Sequence, residues 1–309
     1  MKRALLALAA VSLAALAGCD KFSRPKTAFS GEAAMGYVKT QLDFGPRIPG
    51  TLGHSRTGDW IVAQMRARAD TVIEQRWTHV SQKGDTLPLR NILARFRPSA
   101  TERVLYVTHW DTRPTADDDP DPANRGRPIA GANDGASGPA MFLALADVLK
   151  KTPPTVGVDL LFVDGEDYGT FTPNVDVLMG SEYFAKHLPS PDYKPLFGVL
   201  WDMIADKDQE FPPEGNSVEK APEVVTKVWA TAAELGYGNV FVNAGGQNIT
   251  DDHVPLLDAG LHVIDVIDYW YPNNLAAQKY HHTLQDTIDK LSAKSFQVVG
   301  DVALTLVSK

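Results

Sequence analysis

The 309-residue chain is poor in cysteine and in positive charge: it has one cysteine, Cys19, and 30 Lys and Arg against 38 Asp and Glu, a formal net charge of −8. A single cysteine excludes an intrachain disulfide. The lack of any basic surplus or basic run argues against nucleic acid as a partner. The chain is otherwise 44% apolar and 22% charged, a globular composition that excludes disordered, collagenous and coiled-coil proteins.

The start of the chain differs from the rest. Lys2 and Arg3 precede a stretch, residues 4–17, that is apolar apart from Ser12. This stretch is too short to span a bilayer comfortably and has the basic and apolar regions of a secretory signal. It ends in Leu16-Ala17-Gly18-Cys19, which resembles the lipobox of bacterial lipoproteins, in which the cysteine is lipidated and begins the mature chain.

The sequence therefore predicts a lipoprotein signal peptide over 1–18 and a tether over 19–30. We expect a periplasmic lipoprotein of the bacterial cell envelope, held at a membrane by lipid on Cys19. Asp20 after the cysteine indicates the inner membrane. The alternative is a plain signal peptide followed by an incidental cysteine.

From residue 31 to the end, strand-like runs alternate with amphipathic helical patterns and no compositional break marks a second domain. A short connection between the first two strands indicates an antiparallel pair. The alternation predicts one α/β domain over 31–309, a single open, mostly parallel mixed β-sheet with helices on both faces. Predicted strands are 70–78, 90–96, 104–107, 156–163, 197–201 and 261–267; predicted helices are 31–42, 53–68, 137–151, 179–188, 221–235 and 286–307. Ser30 and Ser137 are placed as helix caps.

Carboxylates and imidazoles follow the predicted strands, where open α/β sheets bind ligands. Each one alone is explained as a turn cap or a core residue. Taken together, the carboxylates of the set would repel one another, and a bound cation relieves such repulsion. Imidazole and carboxylate without thiolate suit Zn²⁺ with an open coordination position. The set is His109, Asp111, Asp134, Asp164, Glu166, Asp167, Asp202, Asp268, His281 and His282.

Glu166 and Asp167 are adjacent at one strand end, where neighbouring side chains point in different directions. One can bind metal while the other faces the substrate and carries a proton. Burial near other acids would raise the pKa of such a carboxyl group towards neutrality, as general acid–base catalysis requires.

One segment, 111–133, has no periodicity and carries Asp117, Asp118, Asp119 and Asp121. It is typical of a solvated loop. A calcium site is conceivable, but the spacing matches no EF-hand, and the segment is given no function.

Several strings in this order resemble the M28 metallopeptidase superfamily: THWDTRP (108–114), GANDGASGPA (131–140), DGEDYG (164–169), GSEYFA (180–185), DMI (202–204), TDDHVP (250–255) and HHTLQDT (281–287). Within it the chain is similar to the zinc-dependent glutaminyl cyclases of bacteria. The doubled Asp251-Asp252 before His253 and the string Phe171-Thr172-Pro173 point there. M28 aminopeptidases tend to have a single aspartate in a Ser-Asp-His string at that place.

The resemblance implies conversion of the N-terminal glutamine of peptides or proteins to pyroglutamate, with release of ammonia. By similarity one Zn²⁺ is held by Asp134, Asp167 and His282. Glu166 is then the proton shuttle, and Asp251 with Asp202 forms its hydrogen-bonding network. Asp167 departs from the animal cyclases and the aminopeptidases, which have glutamate there.

Two alternatives stay open at this point. In an M28 aminopeptidase, His109 and Asp202 would bind a second zinc ion, and N-terminal residues would be hydrolysed. The other alternative is a non-catalytic envelope protein that binds peptide termini. The candidate walls of the substrate pocket are Phe171, Trp201, Trp270, Tyr271 and His281, although core packing accounts for aromatic residues equally well.

Overall fold

The computed structural model describes residues 26–269, 271 and 280–308. The predicted signal peptide, Cys19 and Trp270 lie outside the described residues. The strands are β1 (Thr71–Val80), β2 (Thr86–Phe96), β3 (Arg103–His109), β4 (Gly157–Val163), β5 (Thr170–Phe171), β6 (Asn174–Val175), β7 (Phe197–Asp202) and β8 (Val263–Ile267). The helices are α1 (Gly31–Asp43), α2 (Leu52–Arg66), α3 (Ser137–Lys151), α4 (Met179–Lys186), α5 (Gly215–Lys220), α6 (Pro222–Glu234), α7 (His253–Asp258) and α8 (Ala293–Ser308).

Six strands form one sheet in the order β1-β2-β4-β3-β7-β8. The pairs β1–β2 and β2–β4 are antiparallel, and β4, β3, β7 and β8 run parallel to one another. The prediction of a mostly parallel mixed sheet with an antiparallel first pair is confirmed. The strands β5 and β6 form a separate small hairpin, which the sequence did not predict because two-residue strands leave no pattern.

Alternate residues of the strands divide the core into two layers. On β3, Val104 and Tyr106 pack with buried residues of α1, α2, α3, α6 and α8 on one face of the sheet. Leu105 and Val107 pack with α4 and α7 on the other face. Both faces are therefore covered by helices, as predicted, and the central strands are apolar on both sides.

The helix α3 anchors the loop that precedes it. Its residues are buried almost all round, from Ser137 to Leu149, as expected for a helix enclosed by other elements. Burying a side chain such as Phe142 contributes about 1.5–3 kcal/mol. Asp134 lies three residues before this helix, so the packing of α3 fixes where Asp134 can be.

Three predicted helix starts agree with the structure to different degrees. Ser30 caps α1 as predicted, accepting a hydrogen bond from the backbone of Ala33 at 3.2 Å. Ser137 does not cap α3: its hydroxyl donates to the carbonyl of Asn133 at 2.5 Å, inside the helix start. The closing helix begins at Ala293, later than the predicted 286, because Ser292 accepts a hydrogen bond from the backbone of Ser295 at 3.0 Å and starts it there.

The end of the predicted tether is packed onto the domain. Thr27 donates from its hydroxyl to Asp301 of α8 at 2.7 Å, and Phe29 is buried in the larger core layer. A large apolar side chain at position 29 gains more by burial than by exposure. Residues 26–30 thus belong structurally with the domain, although the sequence assigned them to the tether.

Candidate active site

A cavity of about 640 Å³ opens at the carboxyl ends of the parallel strands. Its lining combines acids and histidines with a few apolar side chains. The lining residues include Arg113, Asp117, Asp118, Asp134, Glu166, Asp167, Phe171, Asp202, Met203, Ile249, Asp251, Ile267, Tyr269, His281 and His282. Six of the predicted strand-end residues line it, at the edge of the sheet where α/β folds bind ligands: Asp134, Glu166, Asp167, Asp202, His281 and His282. His109 and Asp111 lie directly behind them. Asp164 and Asp268 are not part of the lining, and Asp164 is instead buried against His54 and the backbone amide of Arg90.

Asp134, Asp167 and His282 form one of three candidate metal groups among the described residues, called here the open group. A neighbouring group shares His282 and adds His281 and the exposed Asp118. The His282 Nε2 atom lies 3.2 Å from Asp167 Oδ1 and 3.5 Å from Asp134 Oδ2. Asp134 Oδ2 and Asp167 Oδ2 are buried, and neither has a hydrogen-bond partner among the described residues. Buried carboxylate oxygens are normally paired or bound to metal, so this donor set fits Zn²⁺.

Buried side chains hold the backbone around Asp134. The Asp286 carboxylate accepts hydrogen bonds from the amides of Asn133 at 2.8 Å and Asp134 at 3.1 Å. The guanidinium of Arg47 donates to the carbonyls of Ala130 and Gly131 from the other side. Burial raises the pKa of Asp286 to about 7, and the nearby Asp134 charge acts in the same direction.

Glu166 and Asp167 are held by one carboxylate. Asp111 accepts hydrogen bonds from the backbone amides of Glu166 at 3.1 Å and Asp167 at 3.2 Å. Gly135 packs beneath it with a positive φ of 85°, and a Cβ there would lie 2.0 Å from the Asp111 carbonyl oxygen. Only glycine fits such a position, so the two loops that carry Asp134 and Asp167 meet in a fixed arrangement.

The second candidate metal group consists of His109, Asp134 and Asp202, called here the closed group. His109 Nε2 lies 3.0 Å from Asp202 Oδ1 and 3.1 Å from Asp134 Oδ1. Burial alone would lower the pKa of His109, but the charges of Asp202 and Glu166 outweigh it and raise that pKa well above its ordinary value. In this group the imidazole itself bridges the two carboxylates.

Glu166 is the acid with the environment of a proton carrier. It is buried, with its Oε2 atom 3.6 Å from His109 Nδ1. Burial raises the pKa of Glu166 well above its usual range; His109 opposes this shift, and the charges of Asp167 and Asp251 add to it. The direction is the one expected from the sequence.

Asp251 and Asp252 lie on the loop opposite Glu166. This loop is held by Glu214, which accepts a hydrogen bond from the amide of Ile249 at 2.9 Å. Burial and the charge of Asp202 raise the pKa of Asp251 well above its usual value. Burial raises the pKa of Asp252 to about 7, against a hydrogen bond from Ser181 that lowers it.

Residues 91–307 match the sequence model of peptidase family M28. The chain belongs to peptidase family M28. The match covers the open group, the closed group, Glu166 and Asp251.

Solved structures of the same fold include two bacterial glutaminyl cyclases. The enzyme of Bacteroides thetaiotaomicron is 34% identical with a TM-score of 0.87, over 92% of this chain and 99% of that one. The enzyme of Porphyromonas gingivalis is 38% identical with a TM-score of 0.86, over 90% of this chain and 97% of that one. An aminopeptidase of Bacillus subtilis is 24% identical over 85% of this chain, which spans only 53% of that protein's length.

Some of the predicted pocket residues of this M28 domain line the cavity, and others do not. Phe171 and His281 line the cavity. Trp201 does not: it lies in the larger core layer, edge-on to Tyr106 with ring centroids 5.8 Å apart. Because side chains alternate along β7, Trp201 faces the helices whereas Asp202, one residue later, reaches the cavity.

Tyr271 is likewise not among the lining residues; it packs against Tyr280, with ring centroids 4.7 Å apart. The apolar walls that are present include Met203, Ile249, Ile267 and Tyr269, which the sequence did not select. Ile249 could have been suspected from its place just before Thr250-Asp251-Asp252. Arg47 was also missed, although an arginine between Gly45-Pro46 and Ile48-Pro49-Gly50 marks a rigid turn.

Proposed function

We propose that the chain is a glutaminyl-peptide cyclotransferase that converts N-terminal glutamine to pyroglutamate and releases ammonia. One observation carries this proposal: Glu166, a buried acid with a raised pKa, lines the same cavity as the open group and Asp251. The similarity to two bacterial glutaminyl cyclases over nearly the whole of their chains supports it.

In the reaction, the substrate's α-amine nitrogen forms a bond to the carbon of its own side-chain amide, and the bond from that carbon to the amide nitrogen breaks. A Zn²⁺ ion held by Asp134, Asp167 and His282 would polarise the amide carbonyl. Glu166 accepts a proton from the attacking amine and delivers it to the nitrogen that leaves as ammonia. A carboxyl group with a raised pKa suits both transfers because it holds a proton more readily than an ordinary glutamate does.

Asp251 and Asp202 adjust the proton affinity of the site. Asp251 adds to the raised pKa of Glu166, and Asp202 in turn raises the pKa of Asp251. Nucleophile and electrophile belong to one molecule, so the cavity has to hold a ring-closing conformer and exclude water. Phe171, Ile249 and Ile267 provide apolar surface for that purpose.

The test uses the soluble chain that begins after Cys19, with peptides that start with glutamine or leucine, followed by mass spectrometry. Loss of one ammonia from the glutamine peptide alone is the expected result. Removal of whole N-terminal residues would overturn the proposal.

An M28 aminopeptidase with two metal ions is the second candidate, and the closed group is the observation in its favour. There Glu166 would remove a proton from the attacking water. The metal content separates the two candidates, because the cyclase requires one zinc ion per chain and the aminopeptidase two.

We further propose that the chain is a periplasmic lipoprotein anchored through Cys19, in the inner membrane. The basic start, the apolar run and the single cysteine support this. In the described part of the chain, no helix has the length and apolarity to cross a membrane. The full chain and its Cys19→Ser variant, produced in a bacterium with labelled palmitate, test the proposal. The variant should carry no label and should no longer be recovered in the membrane fraction. A wild-type chain without label would contradict the lipid anchor.

A further inference from the structure

The loop that the sequence left without a function lies over the open group. Both oxygens of Asp117 accept hydrogen bonds from the Arg113 guanidinium, each at 2.6 Å. The same guanidinium donates to Asp167 Oδ1 at 2.8 Å. An outer carboxylate is thereby linked through a cation to a carboxylate of the candidate metal site.

This link restricts the orientation of Asp167. The Arg113 side chain is only 8% exposed, and a two-pronged pair with Asp117 fixes the plane of its guanidinium. Arg113 donates a hydrogen bond to Asp167 Oδ1, whereas Asp167 Oδ2 has no hydrogen-bond partner among the described residues. Asp167 therefore offers a defined oxygen to the centre of the open group.

The next two aspartates hold the segment that carries His282. The backbone amide of Asp118 donates to the carbonyl of His282 at 3.2 Å, and its carboxylate lies 4.0 Å from His282 Nδ1. Asp119 is buried and accepts a hydrogen bond from the amide of Leu284 at 3.1 Å. Both hydrogen bonds hold the backbone around His282, and the Asp118 carboxylate lies nearer to His281 Nδ1, at 3.7 Å, than to His282. Partners outside the ligand set orient the ligands of metal sites.

Charge gives Asp117 a second effect. Arg113 places a positive charge against a site suited to a divalent cation, which weakens metal binding by repulsion. Asp117 cancels that charge while leaving the orienting hydrogen bond to Asp167 in place. Removing Asp117 would therefore loosen Asp167 and add an unbalanced positive charge beside the metal.

We propose that Arg113, Asp117, Asp118 and Asp119 form a positioning clamp for the metal site, in which Arg113 held by Asp117 fixes Asp167, and Asp118 and Asp119 fix the His282 segment. This proposal rests on the proposed function, because it takes zinc to be the ion bound by Asp134, Asp167 and His282. Its test measures zinc affinity, which is separate from cyclase activity.

The experiment measures the zinc dissociation constant of the chain by competition with a chromophoric chelator. Asp117→Asn should raise it 10- to 100-fold, the usual effect of removing an outer partner of a zinc ligand. Asp117→Glu, which keeps the charge, should recover most of the affinity. The control Asp121→Asn removes the same charge from the same loop, where the carboxylate accepts from Ala123, and should stay within about twofold of wild type.

A double-mutant cycle sharpens the result. In an Arg113→Gln background, Asp117→Asn should have almost no further effect, because Asp117 acts through Arg113. The melting temperature of the zinc-free variants should match that of the zinc-free wild type, which separates positioning from folding.

An unchanged dissociation constant for Asp117→Asn would overturn the clamp, as would an equal loss in Asp121→Asn. A wild type that binds zinc but does not cyclise glutamine would overturn the proposed function and leave the clamp in place. A wild type that cyclises glutamine, with unaltered affinity in the Asp117 variant, would overturn the clamp alone.

Discussion

The open and closed groups share Asp134 but differ in what satisfies their atoms. In the closed group, His109 Nε2 lies 3.0 Å from a carboxylate oxygen of Asp202 and 3.1 Å from one of Asp134, so one imidazole nitrogen bridges the two acids. In the open group, Asp134 Oδ2 and Asp167 Oδ2 have no hydrogen-bond partner in the described chain. The two groups therefore differ in pairing: one imidazole nitrogen bridges both acids of the closed group, whereas the open group keeps two buried carboxylate oxygens unpaired.

This difference bears directly on the choice between cyclase and aminopeptidase. An intramolecular acyl transfer needs one polarised carbonyl and one proton carrier. Hydrolysis needs in addition an activated water, which a second metal supplies in two-metal sites. The first reaction therefore requires a metal ion only in the open group, and the second requires ions in both groups; the predictions below test that contrast.

The largest effect is expected from His282→Gln. This substitution removes the imidazole of the open group, so zinc binding should weaken by more than the 10- to 100-fold typical of outer partners, and activity should be lost. Zinc per chain after dialysis is the measurement. His281→Gln is the matched control, since His281 Nε2 lies 3.7 Å from Asp134 but is absent from the open group. Equal zinc loss in both variants would mean that the ligand was assigned to the wrong histidine.

Glu166→Gln should lower kcat by about 10²- to 10⁴-fold, the usual contribution of a general acid–base group. The amide keeps the shape of the side chain but cannot carry the proton. Zinc content should stay at the wild-type level, because Glu166 belongs to neither group. The control is Glu182→Gln, an exposed glutamate on α4 paired with Lys186. Normal turnover in the Glu166 variant would refute its role as proton carrier.

His109→Gln tests the closed group itself. The wild type should hold one zinc ion per chain and the variant should still hold one, with kcat reduced by about tenfold, or ~1.4 kcal/mol. The loss would come from weaker positioning of Asp202 and Glu166. Elemental analysis decides the outcome: two ions in the wild type and one in the variant would make His109 a metal ligand and favour the aminopeptidase.

The fold was predictable from the sequence because its long elements carry clear periodicity. The helix α3 and the strands β3, β4 and β7 lie within a few residues of their predicted bounds. The helices α5 and α7 were missed because six residues are too few to show a helical period. The start of α8 was predicted too early because its apolar pattern continues through the short 3₁₀ turn at Ile288–Lys290.

The site was predictable at the level of which residues converge, and less so for its walls. Polar residues after apolar strands reveal a ligand edge, as Asp202 and Glu166 show. A strand buried on both faces is apolar on both, so its sequence does not tell which side chains face the cavity. Trp201 was misplaced for that reason. The partners of Arg113 depend on how a long loop folds back, which no local pattern records.

The smallest expected effect concerns Asp252, behind the closed group. Its pKa is raised by burial to about 7 in the folded chain, against about 4 when unfolded. Between these values the folded state binds the extra proton, so its contribution to stability is present below pH 4 and is lost as the pH rises to 7.

Asp252→Asn removes this dependence while keeping an acceptor for the Ser181 hydroxyl. The free energy of unfolding of the zinc-free chain should therefore fall less steeply from pH 5 to 7 in the variant, by up to about 1.4 kcal/mol per pH unit. Urea unfolding at the two pH values measures it, with Asp43→Asn, an exposed carboxylate on α1, as control. If the free energy of unfolding fell equally steeply with pH in wild type and Asp252→Asn, the proton would be held by another of the buried acids. Asp252 would then not be a protonated acid beside the closed group.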